Sequence, residues 1–299
     1  MARNRNKIGS LSHQVQSALD NKLAIGESKY QSKIDGTMKD KIFSWETYRS
    51  YMKHLNYFVK YCKDQHEVKT LAECKPYMNE WLQTRIDQGV SPYTQKLESA
   101  ALVKLYDLSP KDLIKTQTRH RANISRSRGE KVRDSHFSEK KNKDLVEFCK
   151  STGLRRAELQ ALTGDKLIQK GNQLYIKVNS GSKGGRYREA PVIHNMDLVK
   201  NHMTAAGSDK VFNKISNGAD IHGYRSAYAT ELYNSLARPI EQIPFDKVNK
   251  GTGRAYQSQV YHCRGDLKGV CYDKVAMQQV SEALGHDRIS VIAEHYIRG

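Results

Sequence analysis

The stretch from Lys111 to Arg133 limits what this chain can fold into more than any other part of it. Its eight cationic residues (Lys111, Lys115, Arg119, Arg121, Arg126, Arg128, Lys131 and Arg133) face only two acidic ones, with Ser, Asn and Gly interspersed and few apolar side chains. Such a run has little to bury, so it reads as a linker between domains. The apolar patterning on either side then belongs to two cores, and 299 residues at 38% hydrophobic content suffice for both. We place a small helical domain at 1–107, a basic linker at 108–137 and a second domain at 138–299.

In the first part, Leu11, Val15, Ala18 and Leu19 share one face of a helix expected over Ser10 to Ala24, with Gly26 placed to end it. After Ser44 as N-cap, Trp45, Tyr48, Met52, Leu55, Val59 and Cys62 recur at intervals of three and four. Thr70 and Glu73 make a capping-box pattern at the head of a third helix, expected to run through Met78, Trp81, Leu82 and Ile86 towards Gly89. Ser91-Pro92 starts a fourth, carrying Leu97, Ala101 and Leu105. Four such helices make a bundle. Tyr48, Tyr51, Tyr57, Phe58 and Tyr61 offer either a base-stacking surface or core, and the helical spacing favours core for most of them.

The second part opens with a helix through Leu145, Val146 and Cys149 that stops at Gly153, followed by another from Arg155 to Leu162. Two β-type runs, Gln173 to Val178 and Arg186 to Ile193, flank a glycine-rich turn at 179–185 and read as a hairpin with Lys183 at its tip. Further helices are expected from Gly223 to Leu236, from Lys274 to Leu284 and from Val291 onward. The fold class is thus mainly α with a small β-hairpin or sheet.

A formal charge of +18 favours a polyanionic partner, nucleic acid or an acidic membrane surface. The chain has no apolar run of about 18 residues, and MARNRNKIGS lacks the apolar stretch of a secretory signal, so the expected location is cytoplasmic, with no membrane partner. The five cysteines are odd in number and scattered, which fits reduced thiols. His262, Cys263 and Cys271 are the one grouping to test as metal ligands; their spacing matches no CxxC pair, so structural roles and no metal are expected.

Phosphodiester transfer without a metal needs a nucleophile, positive groups around the non-bridging oxygens, and an acid for the departing sugar oxygen. Arginine suits the clamp because its planar fork donates two parallel bonds and stays charged; lysine or histidine suits the proton donor. Three strings in the second part carry these residue types and resemble the signature boxes of the tyrosine recombinases, the phage-type integrases. TGLRRAELQAL (152–162) is similar to the first box and implies Arg155 as the first catalytic arginine and Glu158 as a supporting carboxylate. IHGYRSAYATEL (221–232) is similar to the His-x-x-Arg box and implies His222 and Arg225. LGHDRISVIAEHY (284–296) resembles the last box and implies His286 and the nucleophile Tyr296. Lys183 falls where the family keeps its catalytic lysine, with Lys177 on the neighbouring strand as the alternative acid. No single string is specific; the fixed order of Arg, Lys, His-x-x-Arg, His and Tyr carries the resemblance.

The resemblance implies a site-specific DNA recombinase of a mobile element that cuts and rejoins strands through a 3′-phosphotyrosyl link, without ATP or any cofactor. It implies a core-binding, SAM-like N-terminal bundle closing with the catalytic domain around double-stranded DNA, inverted-repeat core sites, a dimer on each site and a tetramer in the synapse. The linker cations Lys111, Lys115, Arg119, Arg121, Arg126, Arg128, Lys131 and Arg133 are then candidate phosphate contacts. From Arg225 to His286 the chain is longer than in compact members, which implies an insertion at 237–272 with a hairpin around Gly265 to Gly269. Two alternatives remain open. A type IB topoisomerase uses the same nucleophile, although His222 stands where those enzymes typically place lysine; a non-catalytic DNA-binding protein on the same scaffold is the other.

Overall fold

The computed structural model describes residues 9–120, 137–179 and 187–297, and it divides the chain into two compact units, Met1–Arg126 and Ser127–Gly299. Lys183 and the linker residues Arg121, Arg126, Arg128, Lys131 and Arg133 lie outside the described residues.

The first unit is helical. Helix α1 (Leu11–Asp20) is capped by the Ser10 side chain, which accepts from the His13 amide, and α3 (Trp45–His66) is capped in the same way by Ser44. Between them lies a short α2 (Lys29–Ile34) that the apolar spacing did not signal, since Ser32 is its one buried residue. The third helix departs from expectation. Its capping box forms at Thr70 and Glu73, but α4 ends after Leu71–Cys74, and a 3-10 turn over Lys75–Tyr77 leads into α5 (Met78–Asp87). Pro76 is the physical reason, because its ring removes the amide that a continuous helix would use. Helix α6 (Pro92–Tyr106) starts at Ser91-Pro92. Val15, Leu19, Leu55, Phe58, Trp81, Leu82 and Leu102 form the core, with Tyr48, Tyr51 and Tyr61 packed against it; Tyr57 alone of the five aromatics is turned out, at 46% exposed. Beyond α6, Leu113 is buried and the Gln117 amide donates to Gln95 Oε1, so this part of the chain packs on the bundle, leaving Lys111, Lys115 and Arg119 exposed.

In the second unit, α7 (Lys143–Thr152) ends at Gly153 in the left-handed conformation, and α8 (Arg156–Ala161) begins three residues later. A three-stranded antiparallel sheet follows, ordered β1 (Leu167–Lys170), β2 (Gln173–Val178), β3 (Arg188–Pro191). The expected hairpin is its β2–β3 half; β1 and helix α9 (Met196–Ala206) were not expected, since β1 is too polar and short to show an alternation. Helix α10 (Ile221–Leu236) packs on α7.

The insertion contains two hairpins, β4 (Lys247–Val248) with β5 (Ala255–Tyr256), and β6 (Val260–His262) with β7 (Cys271–Asp273), the latter turning through Gly265–Leu267. Cys271 Sγ lies 3.1 Å from His262 Nδ1 and Cys263 is buried; among the described residues no group of three or more His, Cys, Asp or Glu could hold a metal ion. Helices α11 (Lys274–Leu284) and α12 (Ser290–His295) complete the unit. No helix of the described residues is long and apolar enough to cross a membrane.

Gly153 sets the corner from which α8 starts. Its φ is +59°, and a Cβ there would lie 2.3 Å from the Tyr228 ring, which is fully buried. Gly171 has the same sign of φ, +58°, with nothing within 4 Å. Gly171→Ala is expected to cost about 1 kcal/mol of backbone strain, whereas Gly153→Ala adds overpacking and is expected to cost about 3 kcal/mol or more. Urea unfolding of the two variants side by side checks the difference.

Candidate active site

The site is assembled where the ends of several elements of the second unit meet. Arg155 is the residue before α8, and Glu158, one turn on, reaches back to it: the Arg155 amide donates to Glu158 Oε2 at 2.7 Å, and Nη1 donates to Oε1 at 2.7 Å. Glu158 is 3% exposed. Its remaining capacity is filled by Arg188 on β3, whose Nη1 and Nη2 donate to the two carboxylate oxygens at 2.8 and 2.7 Å. Burial alone would raise the Glu158 carboxyl; the Arg188 fork, the Arg155 amide and the Arg225 charge outweigh it and hold the group at about 2.

Arg225, on the first turns of α10, is 1% exposed. Its guanidinium ties three chain ends together: it donates to the carbonyl of Gly153, to that of Leu284 at 2.5 Å, and through Nε to the Tyr296 hydroxyl at 3.4 Å. Burial pulls it down to about 10, so it stays charged at neutral pH. The Arg225 guanidinium carbon also lies 5.5 Å from the centre of the Tyr296 ring.

His286 follows the left-handed Gly285 that ends α11. Its Nε2 is 3.2 Å from the Tyr296 hydroxyl and 3.4 Å from Arg155 Nη2. A guanidinium only donates, so an Nε2 that bonds it must carry the lone pair, with the ring proton on Nδ1. Burial, then the charges of Arg225, Arg155 and Arg188, lower His286 to about 4, which keeps it neutral at pH 7. The Tyr296 hydroxyl therefore faces a donor, Arg225 Nε, and an acceptor, His286 Nε2. Tyr296 is itself 5% exposed, and its carbonyl accepts from Ser226 Oγ at 2.7 Å and Thr230 Oγ1 at 3.3 Å.

Of the residues singled out in the sequence, Arg155, Glu158, Arg225, His286 and Tyr296 come together within hydrogen-bond reach of one another. His222 is exposed on the first turn of α10, its ring edge-on to that of Tyr296 with centroids 5.4 Å apart. Lys177 is exposed on β2 opposite Glu189. Lys111, Lys115 and Arg119 belong to the first unit. The residue that sequence reasoning missed is Arg188. Its signal was present in the strand alternation, since Arg188, Ala190 and Val192 take the inward phase and all three are buried. Only the position of Glu158 in space explains an arginine there.

No family model and no curated protein matches the chain. Among solved structures it is similar to the integrase of transposon Tn1549 (residues 82–397 of that protein) in complex with circular intermediate DNA, at 13% identity over 97% of this chain and 96% of that one, with a TM-score of 0.47. It is also similar to the XerH site-specific recombinase bound to palindromic difH substrate, at 16% identity, 97% and 90% coverage and a TM-score of 0.47. A third is the XerA recombinase, at 14% identity, 95% and 94% coverage and a TM-score of 0.31.

Two consequences can be measured. Glu158→Gln removes the charge that compensates Arg188 and is expected to cost about 3–5 kcal/mol, read as a lowered urea midpoint. In the pH dependence, unfolded chains bind a proton at the ordinary histidine value of 6.5 that native His286 refuses until about 4, so stability falls as pH drops through that window. Glu158 adds a second loss between its ordinary 4.5 and about 2. His286→Asn is expected to flatten the upper limb of the midpoint-against-pH curve and leave the lower one.

Proposed function

We propose that this chain is a tyrosine-type site-specific DNA recombinase that cleaves and rejoins strands through a 3′-phosphotyrosyl intermediate. The observation that carries the reading is the Tyr296 hydroxyl, held between Arg225 Nε and His286 Nε2, with Arg155 Nη2 against the same imidazole nitrogen. A nucleophile, a proton acceptor and two fixed positive charges in one place are what phosphodiester transfer requires.

In this reading Arg155 and Arg225 neutralise the non-bridging oxygens of the scissile phosphate. The Tyr296 oxygen attacks phosphorus, the new O–P bond forms as the P–O5′ bond breaks, and the phenolic proton passes to an imidazole. The neutral state of His286 and its distance from the hydroxyl support it as that acceptor. Lys183 is the proposed acid for the departing 5′ oxygen, with Lys177 as the alternative. A 5′-hydroxyl from another strand reverses the step, so the bond energy is kept. Since the hydroxyl contacts Arg225 and His286 of its own chain, attack in cis is the supported arrangement. The proposed partner is double-stranded DNA with inverted-repeat core sites, bound by a dimer and brought into a tetrameric synapse. The protein would then be associated with the nucleoid and serve a mobile element.

Centrally nicked duplexes with randomised cores are expected to yield a covalent protein–DNA adduct on denaturing gels. Tyr296→Phe is expected to abolish the adduct and retain binding; an adduct that survives this substitution refutes the assignment. Supercoiled plasmid lacking the selected sequence is expected to stay supercoiled, because efficient relaxation without sequence preference would mean a type IB topoisomerase.

A further inference from the structure

Thirteen consecutive residues in the insertion, 244–256, are all exposed. They are nevertheless held in a defined shape. Strands β4 and β5 pair antiparallel, with Lys247 opposite Tyr256 and Val248 opposite Ala255. The turn is closed by the Asn249 amide donating to the Arg254 carbonyl at 2.8 Å, the Gly253 amide to the Asn249 carbonyl at 2.7 Å, and the Gly251 amide to Asn249 Oδ1 at 2.9 Å. At the base, Asp246 accepts from the Ser258 amide at 2.7 Å and from its hydroxyl at 2.5 Å, while Gln257 Nε2 donates to the Ile243 carbonyl at 2.6 Å and Ile243 is buried.

The register places Lys247, Asn249, Arg254 and Tyr256 on one face of this ribbon and Val248 and Ala255 on the other, with Lys250 at the tip. From 247 to 256 there are three cations and no acidic residue. Phe245 is 69%, Val248 62% and Tyr256 44% exposed. A ribbon without a core on either face gains nothing in folding from leaving these side chains in water. Lysines along a short edge oppose pairing with another strand. Cations interleaved with aromatic and amide side chains on a two-stranded ribbon match a groove of duplex DNA, which admits such a ribbon and surrounds it with phosphates.

We propose that the ribbon 244–256 is a second contact to double-stranded DNA, distinct from the Tyr296 site and directed at flanking sequence; this rests on the recombinase reading. The insertion joins the C-terminal end of α10 to the N-terminal end of α11, where Arg238 Nε donates to the α11 cap Asp273 at 2.7 Å. Arg225 and His286 lie at the opposite ends of those two helices. At 1.5 Å per residue the far end of α10 is about 17 Å along the helix from Arg225, a span of about five base pairs at 3.4 Å each. The ribbon leaves the body at the ends of α10 and α11 remote from Arg225 and His286, as a contact to flanking sequence requires.

The test is fluorescence anisotropy of the full chain on a 40-base-pair duplex of arbitrary sequence across a salt series. Replacing Lys247, Lys250 and Arg254 together by Ala is expected to reduce the slope of log K against log salt by about 2 to 3. Phe245→Ser with Tyr256→Ser is expected to lower affinity with the slope kept, and both variants should melt as the unsubstituted chain does because these residues touch no core. Unchanged slope and affinity overturn the proposal. So does unchanged DNA binding with a loss of self-association in light scattering, which would assign the ribbon to a protein partner. Covalent trapping through Tyr296, run in parallel, separates the two readings: adducts with unaltered slopes sink the ribbon alone, and altered slopes without adducts leave the ribbon standing and sink the recombinase.

Discussion

Everything around Tyr296 depends on one buried carboxylate. Glu158 accepts both arms of Arg188, one arm and the amide of Arg155, and lies 3.9 Å from Arg225. Burying one charge costs several kcal/mol unless partners replace its water, and here the replacement comes from three separate places in the chain. Arg188 brings in β3 and, through Nε, the Ala283 carbonyl at the end of α11. Arg155 brings in the start of α8, and Arg225 the corner at Gly153. Without the carboxylate these guanidiniums would repel one another, and the chain ends they fix would have no common point.

The compensation is also incomplete. Three guanidiniums meet a single carboxylate, and the nearby imidazole is neutral, so the cluster keeps an excess of positive charge beside the tyrosine hydroxyl. For folding alone this is a poor arrangement, since a buried cation is best matched one for one. Under the proposed function a phosphate would supply the missing negative charge, and fixed charges of this kind would need no rearrangement at the moment of reaction. The depressed value of His286, about 4, has the same origin, since burial and the surrounding arginines both resist its protonation.

The helices and the order of the site residues were legible in the sequence because both are local. Ser10, Ser44 and the Thr70–Glu73 box mark helix starts with side chains that bond amides two or three residues on, and those marks lie within a single turn. What the sequence withheld was non-local. Arg188 reads as one more cation on a polar strand until Glu158, 30 residues earlier, is brought against it. Strand β1 carries no alternation of its own and exists because β2 offers it an edge. Pro76 was a visible breaker inside a run whose apolar spacing continued across it, and there the backbone chemistry prevailed over the periodicity.

The same distinction applies to Tyr296. Helix α12 has six residues, fewer than can hold a helix in water unaided, so its position is decided by what it rests on. Ile292 and Ala293 are buried, and the carbonyl of Tyr296 is held by Ser226 and Thr230, both on α10. Arg225 is on that helix too. One helix therefore carries both the guanidinium facing the Tyr296 hydroxyl and the two hydroxyls that hold its carbonyl, so the spacing of those three groups is fixed by helical geometry. A short helix anchored in this way holds its hydroxyl against Arg225 and His286 through contacts made by its carbonyl, so the placement of the hydroxyl rests on α10 and not on the six residues of α12 themselves.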